Sequence, residues 1–275
     1  MPSKMIGNPF AEAPDGLRIL VFGDVVGPAG VRGIEKLLPG IIASGTPDLV
    51  LANGENANGF GMLPASAQKM RAAGVQVLTG GNHTFRPSEA HKMLEQDRNI
   101  LRPANLAPAT SPGSGETIFE TPRGPVGILN LAGQVFMDPA DSPFRTLEGA
   151  ISRFRERKVR VIVVDFHAEA TGEKTALAHF ADGRVSLVFG THTHVPTADA
   201  RILAGGCGFI TDVGMCGSGL GIIGMEPEAI LRRHLTGLPS RFNPDARESR
   251  LQGVAAVASP DTGACLWISR VEWTL

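Results

Sequence analysis

Six short, continuously apolar runs of strand length recur along this chain and limit the folds that it can adopt. Strands that are apolar on both faces are typical of sheets covered by another layer on each side. Segments with helical patterns separate the runs, and this alternation predicts an α/β protein. The runs span residues 18–23, 48–53, 75–80, 126–133, 159–166 and 185–190, and the helix candidates span 30–43, 64–73, 87–97, 146–157 and 173–181.

The two ends of the chain have a different character from its middle. Residues 200–212, 251–259 and 264–273 have strand patterns joined by turns, which predicts a mixed sheet and leaves open whether it is doubled into a layered sandwich. Residues 1–17 are rich in small residues and proline, and they predict a flexible N-terminal extension ahead of a single domain over 18–275.

The Pro/Gly/Ser-rich stretch 103–115 is predicted to be a loop, which allows a small inserted subdomain around 100–150.

The composition excludes several classes of protein. With 43% apolar residues among 275, the chain can bury a core without disulfides, and a net charge of −1 demands neither a nucleic-acid nor a membrane partner. The three cysteines form no CxxC pair, so they indicate a reducing compartment and disfavour a thiolate zinc site. No secretory h-region and no run of the roughly 18 apolar residues of a membrane helix is evident. A soluble, cytoplasmic protein is therefore expected.

Small polar groups follow nearly every predicted strand. Each group combines residue types that bind metal ions, and several follow a glycine that allows a sharp turn and a close approach. In open α/β sheets, binding sites lie at the carboxyl ends of the strands. One such end is most simply a turn, but five or six together predict a shared site. The groups are Asp24, Glu55-Asn56, Asn82-His83, His167-Ala168-Glu169, His192-Thr193-His194 and Asp212.

The ligand types at these strand ends limit which metal ions could bind there. Imidazole, carboxylate and amide donors without cysteine suit a catalytic Mn, Fe or Zn site. Seven candidates are too many for one tetrahedral ion, whereas two ions about 3.5–4 Å apart would use them all. Glu55 is the natural bridging carboxylate. The predicted ligands are Asp24, Glu55, Asn56, Asn82, His167, His192 and His194.

A pair of such ions is suited to phosphoester hydrolysis. It binds the phosphate oxygens, activates water as hydroxide near neutral pH and neutralises the charge that develops. The leaving alkoxide then needs a proton, and His83 follows the predicted ligand Asn82 directly, so it is the candidate general acid; the alternative is an outer residue that only orients a ligand. Glu169, Thr193 and Asp212, with Asp165, are candidate partners that fix the imidazole tautomers.

These motifs resemble the bacterial YmdB-like phosphodiesterases, a branch of the calcineurin-like metallophosphoesterase superfamily, over about 18–275. All of them in this order are far more specific than any one alone. The segments that carry the resemblance are GDVVGPAG (23–30), NGENANGFG (53–61), GGNHTF (80–85), RPAN (102–105), VDFHAEATGEK (164–174), GTHTHVPTAD (190–199) and ITDVGM (210–215).

The resemblance implies a four-layer αββα sandwich with mixed sheets, two Fe or Mn ions, and hydrolysis of cyclic nucleotides, with 2′,3′-cyclic ones favoured. It also implies a homo-oligomer and His83 as the catalytic acid. One ion would be held by Asp24, Glu55, Asn56 and His194, and the other by Glu55, Asn82, His167 and His192.

The chain departs from its relatives at a few positions. The wider superfamily has Asp-x-His after the first strand, but Val26 stands here in place of the histidine, and Asn56 is expected to replace that ligand. Within the branch, Phe85-Arg86 stands where Trp-Asp is expected, and Gln134 stands where Arg is expected. These changes concern the substrate contacts rather than the metals.

Several alternative interpretations compete with a phosphodiesterase. A phosphomonoesterase, or a non-enzymatic regulator that keeps the metal site, would use the same ligands. The GxGxxG string at 219–224 comes too late, and without a following βαβ pattern, for a dinucleotide fingerprint, so a loop near the metals is expected. The basic cluster at 153–160 is usually a solvated helix face, with RNA contact as its alternative.

Overall fold

The structure is a computed structural model that describes residues 7–106 and 110–275. Residues 1–6 of the predicted extension and 107–109 of the predicted loop lie outside the described ranges. The strands in chain order are β1 (Leu17–Val25), β2 (Leu49–Asn53), β3 (Val77–Thr79), β4 (Glu116–Thr121), β5 (Gly124–Ala132), β6 (Val161–His167), β7 (Leu187–Thr191), β8 (Arg201–Ile202), β9 (Gly208–Ile210), β10 (Met215–Gly217), β11 (Arg250–Ala258) and β12 (Cys265–Thr274). The helices are α1 (Gly27–Gly45), α2 (Pro64–Ala72), α3 (Ser88–Gln96), α4 (Pro143–Glu156), α5 (Thr171–Ala181) and α6 (Pro227–Thr236).

The strands form two six-stranded mixed sheets. The first has the order β12-β11-β10-β1-β2-β3 and the second has the order β4-β5-β6-β7-β9-β8. Strand β1 pairs in parallel with β2 and β10 and antiparallel with β11. In the second sheet β5, β6, β7 and β9 run parallel, with antiparallel partners at the two edges.

Three apolar layers show how the sheets and helices stack. In β1, Ile19 and Val21 pack between the two sheets, whereas Leu20 and Phe22 pack toward α1–α3. Strand β6 divides in the same way, because Val163 faces the first sheet while its neighbours face α4 and α5. Side chains alternate between the faces of a strand, so a strand covered on both faces must be apolar throughout. The predicted four-layer αββα sandwich with mixed sheets is confirmed.

Five predicted helices are present, with bounds shifted by a few residues, while β4, β10 and α6 were missed. Strand β4 lies at a sheet edge and is only partly buried, so it lacks a continuous apolar run. Only Ile230 of α6 is buried. The helix therefore has too few apolar residues facing the core for its sequence to show a helical pattern.

The segment ahead of β1 contributes one side chain to the core. Phe10 is buried and its ring lies 6.3 Å from that of Trp267 in β12. The division of the chain into an extension and a domain at residue 18 stays a prediction. In the described part of the chain, no helix has the length and apolar character needed to cross a membrane.

Candidate metal centre

The strand ends of both sheets meet at one edge of the sandwich and bring the predicted ligands together. Asp24 lies at the end of β1, and His167 is the last residue of β6. The loops after β2, β3 and β7 supply the others. Asp24, Glu55, Asn56, His167 and His194 are buried, and Asn82 and His192 are partly buried.

Glu55 lies at the centre of the cluster. Its Oε1 is 3.1 Å from His167 Nε2 and accepts a hydrogen bond from Asn56 Nδ2, also at 3.1 Å. Its Oε2 accepts the backbone N–H of His83 at 3.0 Å. Glu55 Oε1 therefore lies between His167 and Asn56, while Oε2 is held by the backbone of His83.

One side of the cluster is formed around His167. Its Nε2 lies 3.0 Å from His192 Nδ1 and 3.1 Å from Asn82 Oδ1. One donor atom from each of Glu55, His167 and His192 can be chosen so that all three lie within 4.8 Å of one another. This group has the donor types and spacing of a metal-ion site.

The other side is formed by Asp24 and His194. Asp24 Oδ1 lies 3.6 Å from His194 Nε2 and 3.8 Å from His167 Nδ1, and Asn56 Nδ2 lies 3.3 Å from His194 Nε2. Asp24 Oδ2 accepts the backbone N–H of His192 at 2.9 Å. The seven predicted ligands thus form one continuous cluster of contacts.

Two local features fit bound cations. Asp24 Oδ1 is fully buried and makes no hydrogen bond with any described residue, which is costly for a carboxylate oxygen unless a cation or ordered water compensates it. Gly81 lies against the cluster, where a Cβ would come within 2.2 Å of Glu55 Oε2 and 2.4 Å of His167 Nε2. The absence of a side chain at this position keeps the space beside the donors clear.

The electrostatics of the cluster favour positive charge. Burial by itself would lower the pKa of His167, but the carboxylates of Glu55 and Asp24 raise it to about 9. Burial would raise the pKa of Asp24, yet His194 and His167 hold it below its ordinary value. Burial and the neighbouring His167 lower the pKa of His192 to about 4. Metal ions and protons compete for the same nitrogens, so carboxylates that draw protons here would also draw cations.

Several residues hold the imidazoles in place. His167 Nδ1 contacts Thr191 Oγ1 at 3.0 Å, and Thr191 Oγ1 in turn donates to Asp165 Oδ1 at 2.7 Å. Asn53 Nδ2 donates to Asp165 Oδ2 at 3.0 Å, and burial raises the pKa of Asp165 to about 6. Glu169 Oε2 lies 3.1 Å from His192 Nε2. Glu169 and Asp165 were anticipated as partners, whereas Asn53 and Thr191 were missed, although both stand at the end of their strands.

The turn that carries His192 and His194 is strained. Both residues have positive φ, of 94° and 63°, in a region that residues other than glycine seldom adopt. Between them, Thr193 donates through its hydroxyl to Asp212 Oδ2 at 2.7 Å and through its backbone N–H at 3.3 Å. Asp212 Oδ2 also accepts from Lys174 Nζ at 2.7 Å, and both of these charged side chains are buried. Lys174, which was not predicted as a site residue, therefore anchors this turn through its contact with Asp212.

His83 lies beside the cluster. Its Nδ1 is 3.0 Å from Asn56 Oδ1, so Nε2 is the ring nitrogen that remains available to a substrate. Burial lowers the pKa of His83. The three histidines that lie in helices, His91, His179 and His234, are exposed. His83, the predicted acid, therefore lies next to the predicted ligands and contacts Asn56 and Glu55, but it is not itself one of those ligands.

A cleft of about 590 Å³ opens onto the cluster. Its polar side includes Glu55, Asn56 and His83, and Glu169 also lines it. Its other side is mainly apolar, and α6 adds the side chains of Arg233 and His234 to it; the apolar residues there are Ile222 and Ile223 of the GxGxxG loop at 219–224, Met225, Ile230 and Phe242. That loop opens no βαβ unit, and it lies beside the cluster as expected.

The sequence and the structure of this chain are similar to those of several known proteins. A model of the YmdB-like protein family matches residues 20–271. The chain is 39% identical over 256 residues to the 2′,3′-cyclic-nucleotide 2′-phosphodiesterase of Bacillus subtilis, covering 93% of this chain and 96% of that protein. The crystal structure of a hypothetical protein from Thermus thermophilus superposes with a TM-score of 0.87 at 40% identity, covering 94% of this chain and 99% of that one. A structure described as a novel phosphatase from Mycoplasma pneumoniae also gives a TM-score of 0.87, at 33% identity, with 94% of each chain covered.

Proposed function

The chain belongs to the YmdB-like protein family, and from that membership and the geometry of the cluster we propose that it is a metal-dependent phosphodiesterase that hydrolyses cyclic nucleotides. The 2′,3′-cyclic nucleotides are the favoured substrates, because the Bacillus subtilis relative is named for them. One observation carries the proposal. Seven oxygen and imidazole donors from five strand ends meet in one cluster, and a buried carboxylate oxygen in it, Asp24 Oδ1, makes no hydrogen bond to any described residue.

We propose that these donors hold two ions, Fe or Mn, with Glu55 shared between them. Asp24, Asn56 and His194 would complete one ion's shell, and Asn82, His167 and His192 would complete the other's. When bound, such a pair binds phosphate oxygens, activates water and neutralises developing charge. The absence of thiolates and the mixture of nitrogen and oxygen donors suit this role.

The side chain of Asn56 has a particular part in this arrangement. In the structure its Nδ2 faces Glu55 and His194, and its Oδ1 faces His83. An amide nitrogen does not bind metal ions, so we infer that the amide turns over when a cation is bound, which places Oδ1 toward the cation and Nδ2 toward His83 Nδ1. In both orientations Asn56 engages Nδ1 of His83 and leaves Nε2 for the substrate.

His83 is proposed to donate a proton from Nε2 to the leaving alkoxide oxygen of the substrate. Its backbone N–H is tied to Glu55 and its ring to Asn56, so its position is fixed relative to the ligands. General acids of this kind contribute by matching a positioned proton to an oxygen that becomes strongly basic in the transition state.

The proposed activity is tested with purified protein loaded with Mn²⁺. We expect hydrolysis of bis-p-nitrophenyl phosphate and of 2′,3′-cyclic AMP, and much slower hydrolysis of p-nitrophenyl phosphate, a monoester. Faster cleavage of the monoester would replace the proposal with a phosphomonoesterase. Full metal occupancy without turnover on any of these substrates would favour a regulatory protein that retains the metal site.

His192→Ala is expected to lower the Mn content to about one ion per chain or less and to reduce turnover. The substitution removes a donor that lies 3.0 Å from His167 Nε2. His179→Ala is the matched control, because His179 is an exposed histidine on α5 and should keep both occupancy and rate. Elemental analysis after gel filtration measures the occupancy, and full occupancy in His192→Ala would remove this residue from the ligand set.

A further inference from the structure

A single turn beside the metal cluster holds an isoleucine in an unfavourable conformation. Ile222 and Met225 exchange two backbone hydrogen bonds, of 2.9 and 3.0 Å, around the pair Ile223-Gly224. Both central residues have positive φ, 45° for Ile223 and 89° for Gly224, as in the two-residue hairpin turns that favour Asn or Gly. A β-branched residue is a genuine outlier at the first of these positions.

The backbone of this turn is tied to the cluster. Ile223 O accepts a hydrogen bond from His194 Nδ1 at 3.0 Å, which leaves His194 Nε2 facing Asp24 and Asn56. A glycine at this position would present the same carbonyl without strain. The backbone role therefore accounts for the turn, and the isoleucine side chain needs a separate explanation.

That side chain lines the cleft. Ile223 is 48% exposed, and Phe60, on the loop after β2, is 41% exposed in the same cleft. Phe60 is held by the His83 ring, 5.2 Å away in an edge-to-face arrangement, and by the Arg86 guanidinium, 5.4 Å from its centroid. Two exposed apolar side chains thus flank the polar cluster, which is typical of a pocket that binds an apolar group of its substrate.

We propose that Ile223 and Phe60 bind the nucleobase of the substrate, so that the side chain of the strained turn determines selectivity for nucleosides. This inference rests on the proposed function and adds a base-binding subsite to it. A nucleobase is planar and its two faces are apolar. An aliphatic side chain and an aromatic ring can therefore contact the face of any base, whichever hydrogen-bonding groups its edge carries. The cyclic phosphate would then lie toward the metal cluster, and the base toward these two residues.

Ile223→Gly tests the proposal directly. Glycine adopts positive φ freely, so the turn and its carbonyl contact to His194 are expected to persist while the side chain is lost. Leu220→Gly is the matched control, because Leu220 is 56% exposed on the same loop and is not among the residues that line the cleft. Mn content and circular dichroism establish that both variants retain the metal and the fold.

Two substrates separate base contacts from the chemistry, namely 2′,3′-cyclic AMP and the 2′,3′-cyclic phosphate of methyl riboside, which has no base. In Ile223→Gly, KM for 2′,3′-cyclic AMP is expected to rise about tenfold, which corresponds to about 1.4 kcal/mol, with a much smaller effect on the base-free substrate. Phe60→Ala should raise KM for 2′,3′-cyclic AMP in the same selective way, whereas any effect through its contact with His83 should lower kcat on both substrates. Leu220→Gly should change neither. Equal losses on both substrates, or no loss on either, would overturn the proposal.

If the wild-type protein hydrolyses neither substrate, the proposed function fails, and binding decides this inference separately. Calorimetric titration of the Mn²⁺-loaded protein with 2′,3′-cyclic AMP would then show binding that weakens in Ile223→Gly if the subsite exists. Binding that is absent in the wild type, or equal in the two proteins, would overturn it.

Discussion

Replacing His83 with alanine is expected to lower kcat by roughly 10²–10⁴-fold while the metal content of the protein stays unchanged. The His83 side chain contacts the Asn56 amide and the Phe60 ring, whereas its backbone N–H supplies the bond to Glu55 Oε2. Alanine keeps that backbone bond, so the ligand shell should survive. The effect should therefore fall on proton transfer and not on metal affinity.

The measurement is kcat for bis-p-nitrophenyl phosphate together with Mn content. His91→Ala is the matched control, because His91 is exposed on α3, where it contacts the carbonyl and the ring of Phe85. A His83→Ala rate within a few-fold of the wild type would exclude His83 as the acid. A large loss accompanied by loss of metal would instead assign His83 a role in holding Asn56.

Replacing Lys174 with methionine is expected to destabilise the fold by about 3–5 kcal/mol, because it leaves a buried carboxylate without its counter-charge. Lys174 is 1% exposed, and its Nζ lies 2.7 Å from Asp212 Oδ2. Burial already raises the pKa of Asp212, with the Lys174 charge opposing that rise. Asp212 also holds Thr193, so the His192–His194 turn should loosen with it.

Urea unfolding of metal-free protein measures this effect separately from metal binding. The matched variant is Lys174→Met with Asp212→Asn, which removes both charges and should recover most of the lost stability. A single variant within about 1 kcal/mol of the wild type would show that the buried pair is not anchoring the turn. A double variant as unstable as the single one would point to packing of the Lys174 side chain in place of its charge.

Much of the cluster follows from sequence because parallel strands bring their carboxyl ends to one edge. Strands β1, β2, β6 and β7 end at or just before a predicted ligand, so their apolar runs locate the ligands as well as the sheets. The stacking of the two sheets was less evident from the apolar runs. Runs that are apolar on both faces indicate covering layers, but they do not say whether the cover is a helix or another sheet.

The residues that were missed violate the preferences on which sequence reasoning depends. Lysine is seldom fully buried, so nothing in the sequence marked Lys174 as a core residue. The loop at 219–224 was predicted, but Ile223 occupies a turn position in it that normally selects Asn or Gly, so nothing marked this residue. Both contacts join segments far apart in the chain, Lys174 to Asp212 and Ile223 to His194, and only the folded structure brings them together.

The central claim, that these donors hold a pair of ions, is tested most directly by anomalous scattering from crystals grown with Mn²⁺. Data on both sides of the Mn absorption edge should show two peaks about 3.5–4 Å apart, both bonded to Glu55. One should contact Asp24, Asn56 and His194, and the other Asn82, His167 and His192. A single peak, no peak, or peaks bonded to other residues would contradict the account.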